Sequence, residues 1–260
     1  MLTVTDAQLD AWLAALMYPL VRILGMVSSA PLFGNRGIPL RVRVAIGLGV
    51  AVAVLPSLPP MPAVPPASGL GLAIMAQQFL IGVGIAIVMR ITFAAVDVAG
   101  ELVGLQMGLS FAAFFDPDSG GRTAVVAEFM GLITSLLFLA LNGHLLLVEV
   151  VIRSFEWLPV ATTPLHGGGW MSAVHFGATL FAAGLLLAMP IMATLLVVNI
   201  AMGVLTRAAP QLNIFAIGFP VTLGTGLLVL MLSMEAFAPA MRHFFDRGFE
   251  AVGRLLQSLL

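Results

Sequence analysis

Several charged side chains interrupt long apolar stretches of the sequence, and they are the first candidates for chemistry. Asp97 and Glu101 are four residues apart and Arg90 precedes Asp97 by seven, so a helix would place all three on one face. Ionisable groups inside apolar helices are costly and are often functional, as in a proton relay or an ion site. Internal ion pairing, or acids that face a partner subunit, would explain the same spacing. Other charges of this kind are Arg22, Glu128, Glu149 and Glu235.

Sequence motifs for enzymatic chemistry are absent. The chain has no cysteine, which excludes disulfides and thiolate catalysis. No GxSxG elbow, GxGxxG loop or Walker motif occurs, and "HGGGW" resembles an oxyanion motif without a nucleophile elbow to accompany it. No HExxH spacing places two histidines on one helical turn. The scattered histidines are His144, His166, His175 and His243. We therefore predict that the protein is not an enzyme and holds no metal or cofactor.

The composition is that of a membrane protein. Hydrophobic residues make up 60% of the chain and charged residues 9%, whereas a soluble domain has about 25% charged residues. A formal net charge of −1 excludes the strongly basic surface that nucleic-acid binding requires. The first residues include Asp6 and Asp10 but no basic residue, so a cleavable signal peptide is not expected. We predict a multi-pass protein that contacts membrane lipid and binds no nucleic acid.

The charged positions lie in a succession of apolar segments. A spanning helix needs about 20 apolar residues, and such segments occur at residues 9–33, 70–96, 123–152, 170–206 and 221–238. Residues 44–55 form a shorter segment that crosses only if residues 38–42 join it. Residues 241–260 form an amphipathic surface tail. We predict one all-α domain over residues 1–260, made of membrane-type helical hairpins with a broken central segment.

The broken central segment covers about residues 100–122, and we predict a separate helix over residues 100–115. Gly100, Gly104, Gly108 and Ala112 recur every four residues, so on this helix they form a strip without large side chains, where another backbone can pack closely. The residue before a proline is steered away from helix, so the segment should end before Pro117 in a turn-forming stem. It is then too short for a confident span.

An apolar segment that stops in this way can close a channel. Hydrophobic constrictions seal by excluding water, and the unbranched side chain of methionine suits an adaptable seal. Ordinary tight helix packing is the alternative interpretation. The predicted gate segment comprises Gln106, Met107, Gly108, Leu109, Ser110, Phe111, Phe114, Phe115, Asp116 and Pro117.

Four stretches of the sequence carry a resemblance to a known family. They are "SAPLFGNRGIP" near residue 30, "GELVGLQMGLSFAAFFDP" at 100–117, "LNGHLLL" at 141–147 and "RAAPQLNIFAIGFP" at 207–220. In this order they closely resemble the FliR family of flagellar biosynthetic proteins of the bacterial type III export gate. The resemblance implies a helical, multi-subunit gate with FliP and FliQ subunits, through which unfolded flagellar proteins pass. It also implies that the helices stack into a shallow spiral raised from the membrane plane.

The resemblance implies functional segments as well. Residues 106–115 match the plug inside the family's gate, and residues 170–240 match a cytoplasmic entrance hairpin. The turn of that hairpin contains Pro210, Gln211, Asn213 and Phe215. We expect a structural, pore-forming subunit of the flagellar export gate, in the inner membrane at the flagellar basal body and in contact with other export components.

Two alternatives stay open at this point. The first is the equivalent subunit of a virulence-type type III secretion system, whose members share much of the same sequence pattern. The second is a secondary transporter, with Arg90, Asp97 and Glu101 as coupling charges, although the inverted repeats common in transporters are not found.

Overall fold

A computed structural model describes residues 5–35, 37–109, 125–211 and 214–259 of the chain. Every regular element in these ranges is helical, which confirms the predicted all-α fold class. The helices are α1 (Asp6–Ser29), α2 (Leu40–Val54), α3 (Gly69–Gln106), α4 (Val125–Ala140), α5 (Gly143–Trp157), α6 (Gly168–Ala208) and α7 (Ile214–Ser258). A short 3-10 turn, Leu55–Ser57, follows α2 and begins the proline-rich loop.

The helix α3 is a single element where the sequence predicted two. The predicted boundary between residues 96 and 100 is wrong, because α3 continues without interruption from Gly69 to Gln106 over 38 residues. At about 1.5 Å per residue it is about 57 Å long, well beyond the ~30 Å hydrocarbon core of a bilayer. Gly100 alone does not stop a helix, since one glycine costs only about 1 kcal/mol relative to alanine. The first part of the predicted central segment is therefore the end of α3.

The opposite correction applies to the predicted helix over residues 123–152, which is broken. The helix α4 ends at Ala140, and Asn142 adopts a left-handed conformation with φ of 57°. Asparagine is one of the few residues that visits this region readily, which explains why the chain changes course at "LNG". The carbonyl of Asn142 then accepts hydrogen bonds from the amides of Leu145 and Leu146 and so begins α5.

The C-terminal tail is also part of a longer helix. The helix α7 continues through Pro239 to Ser258, so the predicted separate surface tail over residues 241–260 is wrong. Its apolar stripe is buried within the protein. The buried residues of this stripe are Met241, Phe245, Val252, Leu255, Leu256 and Leu259. The end of the stripe packs against the start of α6, where a Cβ placed on Gly169 would lie 2.6 Å from a methyl carbon of Leu259.

The chain divides into two compact units. The first unit comprises Met1–Ile91, Asn142–Gly177 and Phe245–Leu260, and the second comprises Thr92–Leu141 and Ala178–Phe244. The first unit therefore contains α1, α2 and α5. The second contains α4 and the greater part of α6 and α7.

The first unit is organised around the side chain of Arg22, which is fully buried. Its Nε donates to Oε1 of Gln78 at 2.8 Å. One terminal nitrogen donates to the carbonyl and hydroxyl oxygens of Ser154, both at 2.9 Å, and the other donates to the carbonyl of Leu158 at 2.9 Å. The guanidinium carbon lies 4.1 Å from the ring centroid of Phe155. The positive charge thus binds the carboxyl end of α5, where the helix dipole favours a cation.

Among the described residues, five helices are long and apolar enough to cross a membrane, namely α1, α2 with the 3-10 turn, α3, α6 and α7. Together, α4 and α5 form a further candidate as a broken pair. The candidates differ in how much the chain covers them. In α3, 56% of the most apolar window is buried, against 22% in α6 and 17% each in α2 and α7. The described part of the chain therefore covers little of the surfaces of α2, α6 and α7.

Candidate functional site

The candidate site begins at the end of α3, where two backbone hydrogen bonds cap the helix. The amide of Gly108 donates to the carbonyl of Leu105, and the amide of Leu109 donates to the carbonyl of Gly104, both at 3.1 Å. Gly108 has φ of 82°, a conformation that glycine adopts without the steric cost of a side chain. This pattern is a Schellman motif with glycine at the position just past the helix. Gly108 therefore ends α3 and does not continue the predicted helical strip.

The remaining glycines of the predicted strip differ in how closely another helix approaches them. A Cβ placed on Gly100 would lie 2.7 Å from the backbone nitrogen of Ala127 and 2.8 Å from its Cβ. This is backbone-to-backbone packing of α3 on α4, and an alanine side chain does not fit. At Gly104 the nearest atoms, on Leu109 and Val126, would be 3.9 Å away, which is ordinary van der Waals contact. Ala112 lies outside the described residues.

Met107 links the end of α3 to α7 within the second unit. Its side chain is fully buried. A Cβ placed on Gly226 would lie 2.6, 2.8 and 2.9 Å from the Cγ, Cε and Sδ atoms of Met107, so the missing side chain of Gly226 makes the space that Met107 fills. One helical turn earlier in α7, the hydroxyl of Thr222 lies 3.3 Å from the carbonyl oxygen of Met107. We call these contacts of Met107 with Thr222 and Gly226 the α3–α7 contact.

The predicted gate segment is described only over its first four residues. Gln106 is the last residue of α3 and is half-buried, Met107 is buried, and Gly108 and Leu109 form the turn. The rest of the segment lies outside the described residues. These residues are Ser110, Phe111, Phe114, Phe115, Asp116 and Pro117.

The predicted charge network consists of three exposed side chains, Arg90, Asp97 and Glu101, which all belong to α3. Asp97 lies beside α4, where its Oδ1 is 3.4 Å from the place that a Cβ on Gly131 would take. A charge at the centre of a membrane-spanning helix costs about 2.5–3.5 kcal/mol on insertion scales. We therefore expect these side chains to face water or another protein and not hydrocarbon.

The predicted entrance turn lies between the two longest helices. The helix α6 ends at Ala208, and α7 begins at Ile214. Pro210 and Gln211 are exposed in the connection. Asn213 lies outside the described residues, and Phe215 belongs to the first turn of α7.

Sequence reasoning missed Thr222 and Gly226. Their spacing of four residues in an apolar helix was a signal that the two share a face. The sequence did not reveal that Met107, more than a hundred residues earlier, contacts that face.

The fold and the site define an all-helical protein of the membrane type whose central helix ends abruptly. The chain belongs to a family of bacterial export proteins: the sequence model described as Bacterial export proteins, family 1, matches residues 13–248. This membership confirms the resemblance recognised in the sequence and the prediction that the protein is not an enzyme.

Curated relatives cover the chain almost completely. It is 40% identical over 259 residues to the flagellar biosynthetic protein FliR of Pectobacterium carotovorum subsp. carotovorum, a match that includes 100% of this chain and 99% of the relative. The identity to the flagellar biosynthetic protein FliR of Escherichia coli (strain K12) is also 40%, with the same coverage. The protein of the same name from Buchnera aphidicola subsp. Acyrthosiphon pisum (strain APS) is 34% identical over 95% of both chains.

Proposed function

We propose that the chain is a non-enzymatic, pore-forming subunit of the flagellar type III protein export gate in the bacterial inner membrane, at the flagellar basal body. The observation that carries this proposal is the full-length similarity to proteins named for flagellar biosynthesis. Because those relatives are flagellar, the flagellar gate is preferred over the equivalent virulence-type subunit. The transporter alternative has no comparable support, since Arg90, Asp97 and Glu101 are all exposed.

The uncovered helices support a role inside an assembly. Large apolar side chains project from α6 and α7 without cover from the chain, and examples with more than 60% exposure are Leu186, Val197, Met231 and Leu232. A large exposed apolar surface marks contact with other proteins or with lipid. We propose that FliP and FliQ subunits cover much of this surface, that other export components bind nearby, and that lipid contacts the remainder.

We propose that residues 106–117 close the gate before a substrate arrives. The support comes from the end of α3, where a long apolar helix stops at a glycine turn after Met107. A buried, unbranched methionine at this point suits an adaptable hydrophobic seal. The exposed turn at Pro210 and Gln211 would lie at the cytoplasmic entrance, where unfolded exported proteins first meet the gate.

Replacement of residues 110–117 tests the closing role. A polar Gly/Ser sequence of the same length should leave the export complex assembled but make the membrane conduct small ions, because the apolar seal is gone. A replacement by Leu and Ala of the same length is the matched control and should stay tight. Conductance across the membrane and sensitivity to small toxic solutes measure the leak. An assembled complex that remains tight with the Gly/Ser sequence would contradict the proposal.

The partner proposal has its own test. Purification of the chain from its native membrane should give a hetero-oligomer, and native mass spectrometry then counts the FliP and FliQ subunits. A stable, monodisperse monomer without companions would contradict a gate of several subunits.

A further inference from the structure

The α3–α7 contact involves two residues of α7 that act on the same residue of α3. Thr222 and Gly226 are four residues apart in α7 and therefore lie on one face of that helix. Thr222 reaches the backbone of Met107, and Gly226 accommodates its side chain. Thr222 is 9% exposed and Met107 is fully buried, so the contact excludes water.

The chemistry of this contact makes it reversible. The hydroxyl of Thr222 has one hydrogen to donate, and besides the Met107 carbonyl at 3.3 Å it has the carbonyls of Gly218 and Phe219 within its own helix, each at 3.1 Å. When Met107 moves away, the hydroxyl therefore keeps a hydrogen-bond acceptor. The methionine side chain fills a smooth space without any directional bond. Separation of the two helices at this point leaves α7 with no unsatisfied donor.

The position of the contact along α7 connects it to the proposed entrance. Thr222 lies eight residues after Ile214, the first residue of α7, which is about 12 Å along the helix axis. Pro220 lies between them and removes one hydrogen bond from the helix ladder. A displacement of the start of α7 therefore reaches the α3–α7 contact through a short, weakened stretch of one helix.

We propose that Thr222 and Gly226 are positioning residues: they latch Met107 and so hold the end of α3 in its resting place, and export requires release of this latch. The proposal rests on the proposed function as an export-gate subunit. It adds that α7, through the α3–α7 contact, couples the entrance turn to the end of α3. Loss of the latch should open the gate, and a permanent latch should block it.

The permanent latch can be made by a disulfide, because the chain has no cysteine of its own. A Cβ on residue 226 lies 2.6 Å from the Cγ of Met107, the place that Sγ of a cysteine at 107 would take. The distance from one Cβ to the far sulfur of a disulfide is about 3 Å, so Met107→Cys combined with Gly226→Cys should form a disulfide. Met107→Cys with Gly224→Cys is the matched control, since a Cβ on Gly224 meets nothing within 4 Å.

In the assembled export complex, mild oxidation should cross-link the first pair and not the second. Cross-linking should stop export of a flagellar substrate, and a reductant should restore it. Export that continues at the normal rate in the fully cross-linked complex would overturn the proposal. Failure of the first pair to cross-link would overturn it as well, because the contact would then not exist in the complex.

Single substitutions in α7 should weaken the contact with Met107. Gly226→Ala should raise ion conductance several-fold over Gly224→Ala, because the added methyl group displaces Met107. Thr222→Val should shift the equilibrium towards release by less than about five-fold, because one neutral hydrogen bond contributes about 1 kcal/mol and the hydroxyl of Thr222 has other acceptors in its own helix after release. Thr222→Ser should behave as the wild type.

Each result separates the latch from the proposed function. Suppose that the Gly/Ser replacement of residues 110–117 leaks, whereas Gly226→Ala and Thr222→Val do not leak in complexes assembled at normal levels. This result would reject the latch but leave the proposed closing role intact. A tight membrane with the replacement would reject the closing role itself.

Discussion

The first unit has a buried cluster of Arg22 with Gln78, Ser154 and Leu158, which we call the Arg22 centre. The second unit has the α3–α7 contact, which is also buried. The two differ in the interactions that hold them together. Arg22 makes four hydrogen bonds from a permanently charged group, to Gln78, Ser154 and Leu158. None of these acceptors can be exchanged without leaving a buried charge unsatisfied. The α3–α7 contact has one long neutral hydrogen bond, and its donor has alternatives in its own helix.

This difference in hydrogen bonding indicates which of the two contacts can separate. Separating the Arg22 centre exposes a cation and several carbonyls to an apolar interior, which costs several kcal/mol. Separating the α3–α7 contact costs mainly the packing of one methionine. The first centre is therefore a permanent fastening of α1, α3 and α5, whereas the second is suited to a switch. The predictions below test this contrast from the largest expected effect to the smallest.

Replacement of Arg22 should have the largest effect. Arg22→Met keeps most of the side-chain volume but leaves the acceptors of Gln78, Ser154 and Leu158 buried without their donor. We expect a loss of several kcal/mol, because each buried acceptor left without a donor costs about 1–3 kcal/mol, and little folded protein in the membrane. Arg22→Lys should be intermediate, since one ammonium group cannot replace the fork of the guanidinium. Thermal unfolding in detergent measures the loss, and Arg90→Met, at an exposed position of α3, is the control. Equal stability of Arg22→Met and Arg90→Met would contradict a permanent fastening.

Two glycines of α3 provide the next test. Gly100→Ala places a methyl group against the backbone of Ala127 and should destabilise the second unit by about 1–3 kcal/mol through overpacking. Gly104→Ala has room for the methyl group and should be neutral or stabilise by up to about 1 kcal/mol, because alanine favours helix. The melting temperature of the purified protein should therefore fall in one variant and not in the other. A similar fall of the melting temperature in both variants would mean that α4 approaches Gly104 as closely as Gly100.

These two glycines also show which features of the structure can be predicted from the sequence. The all-helical class, the apolar segments and the small-residue row follow from composition and spacing, because those patterns are local. The row correctly drew attention to Gly100, but spacing alone could not tell that Gly104 has room or that Gly108 ends the helix. The room at Gly104 depends on how closely α4 approaches α3, and the helix end at Gly108 depends on the two hydrogen bonds donated by the amides of Gly108 and Leu109.

The errors in element boundaries have similar causes. Asn142 broke a predicted helix because a left-handed residue in the middle of an apolar run gives no periodic signal. Pro239 was taken as an end, yet α7 continues past it, because buried residues of the tail hold the next turns in place. The Arg22 centre and the α3–α7 contact join residues more than a hundred positions apart. Pairings of that kind are set by tertiary packing and not by the local sequence.

The exposed charges of α3 should matter for assembly and not for the fold of the chain. Asp97→Asn combined with Glu101→Gln removes two exposed charges, so the melting temperature of the isolated chain should hardly change. If another subunit covers this face, the same variant should reduce the yield of the hetero-oligomer. Co-purification of partner subunits measures the yield, with Glu250→Gln on α7 as an exposed acidic control. Normal assembly of the double variant would show that this face meets water and not a partner.

The smallest effect is expected at the exposed ion pairs. Arg254 and Glu250 lie 3.8 Å apart on α7, and both side chains are more than 60% exposed. Such pairs contribute at most about 1 kcal/mol, because water and salt screen the attraction. Arg254→Gln should therefore leave the melting temperature almost unchanged, whereas Arg22→Met, which also removes an arginine from a helix, should lower it strongly. A large loss with Arg254→Gln in the purified chain would contradict this contrast, because an ion pair so exposed has no means of contributing more.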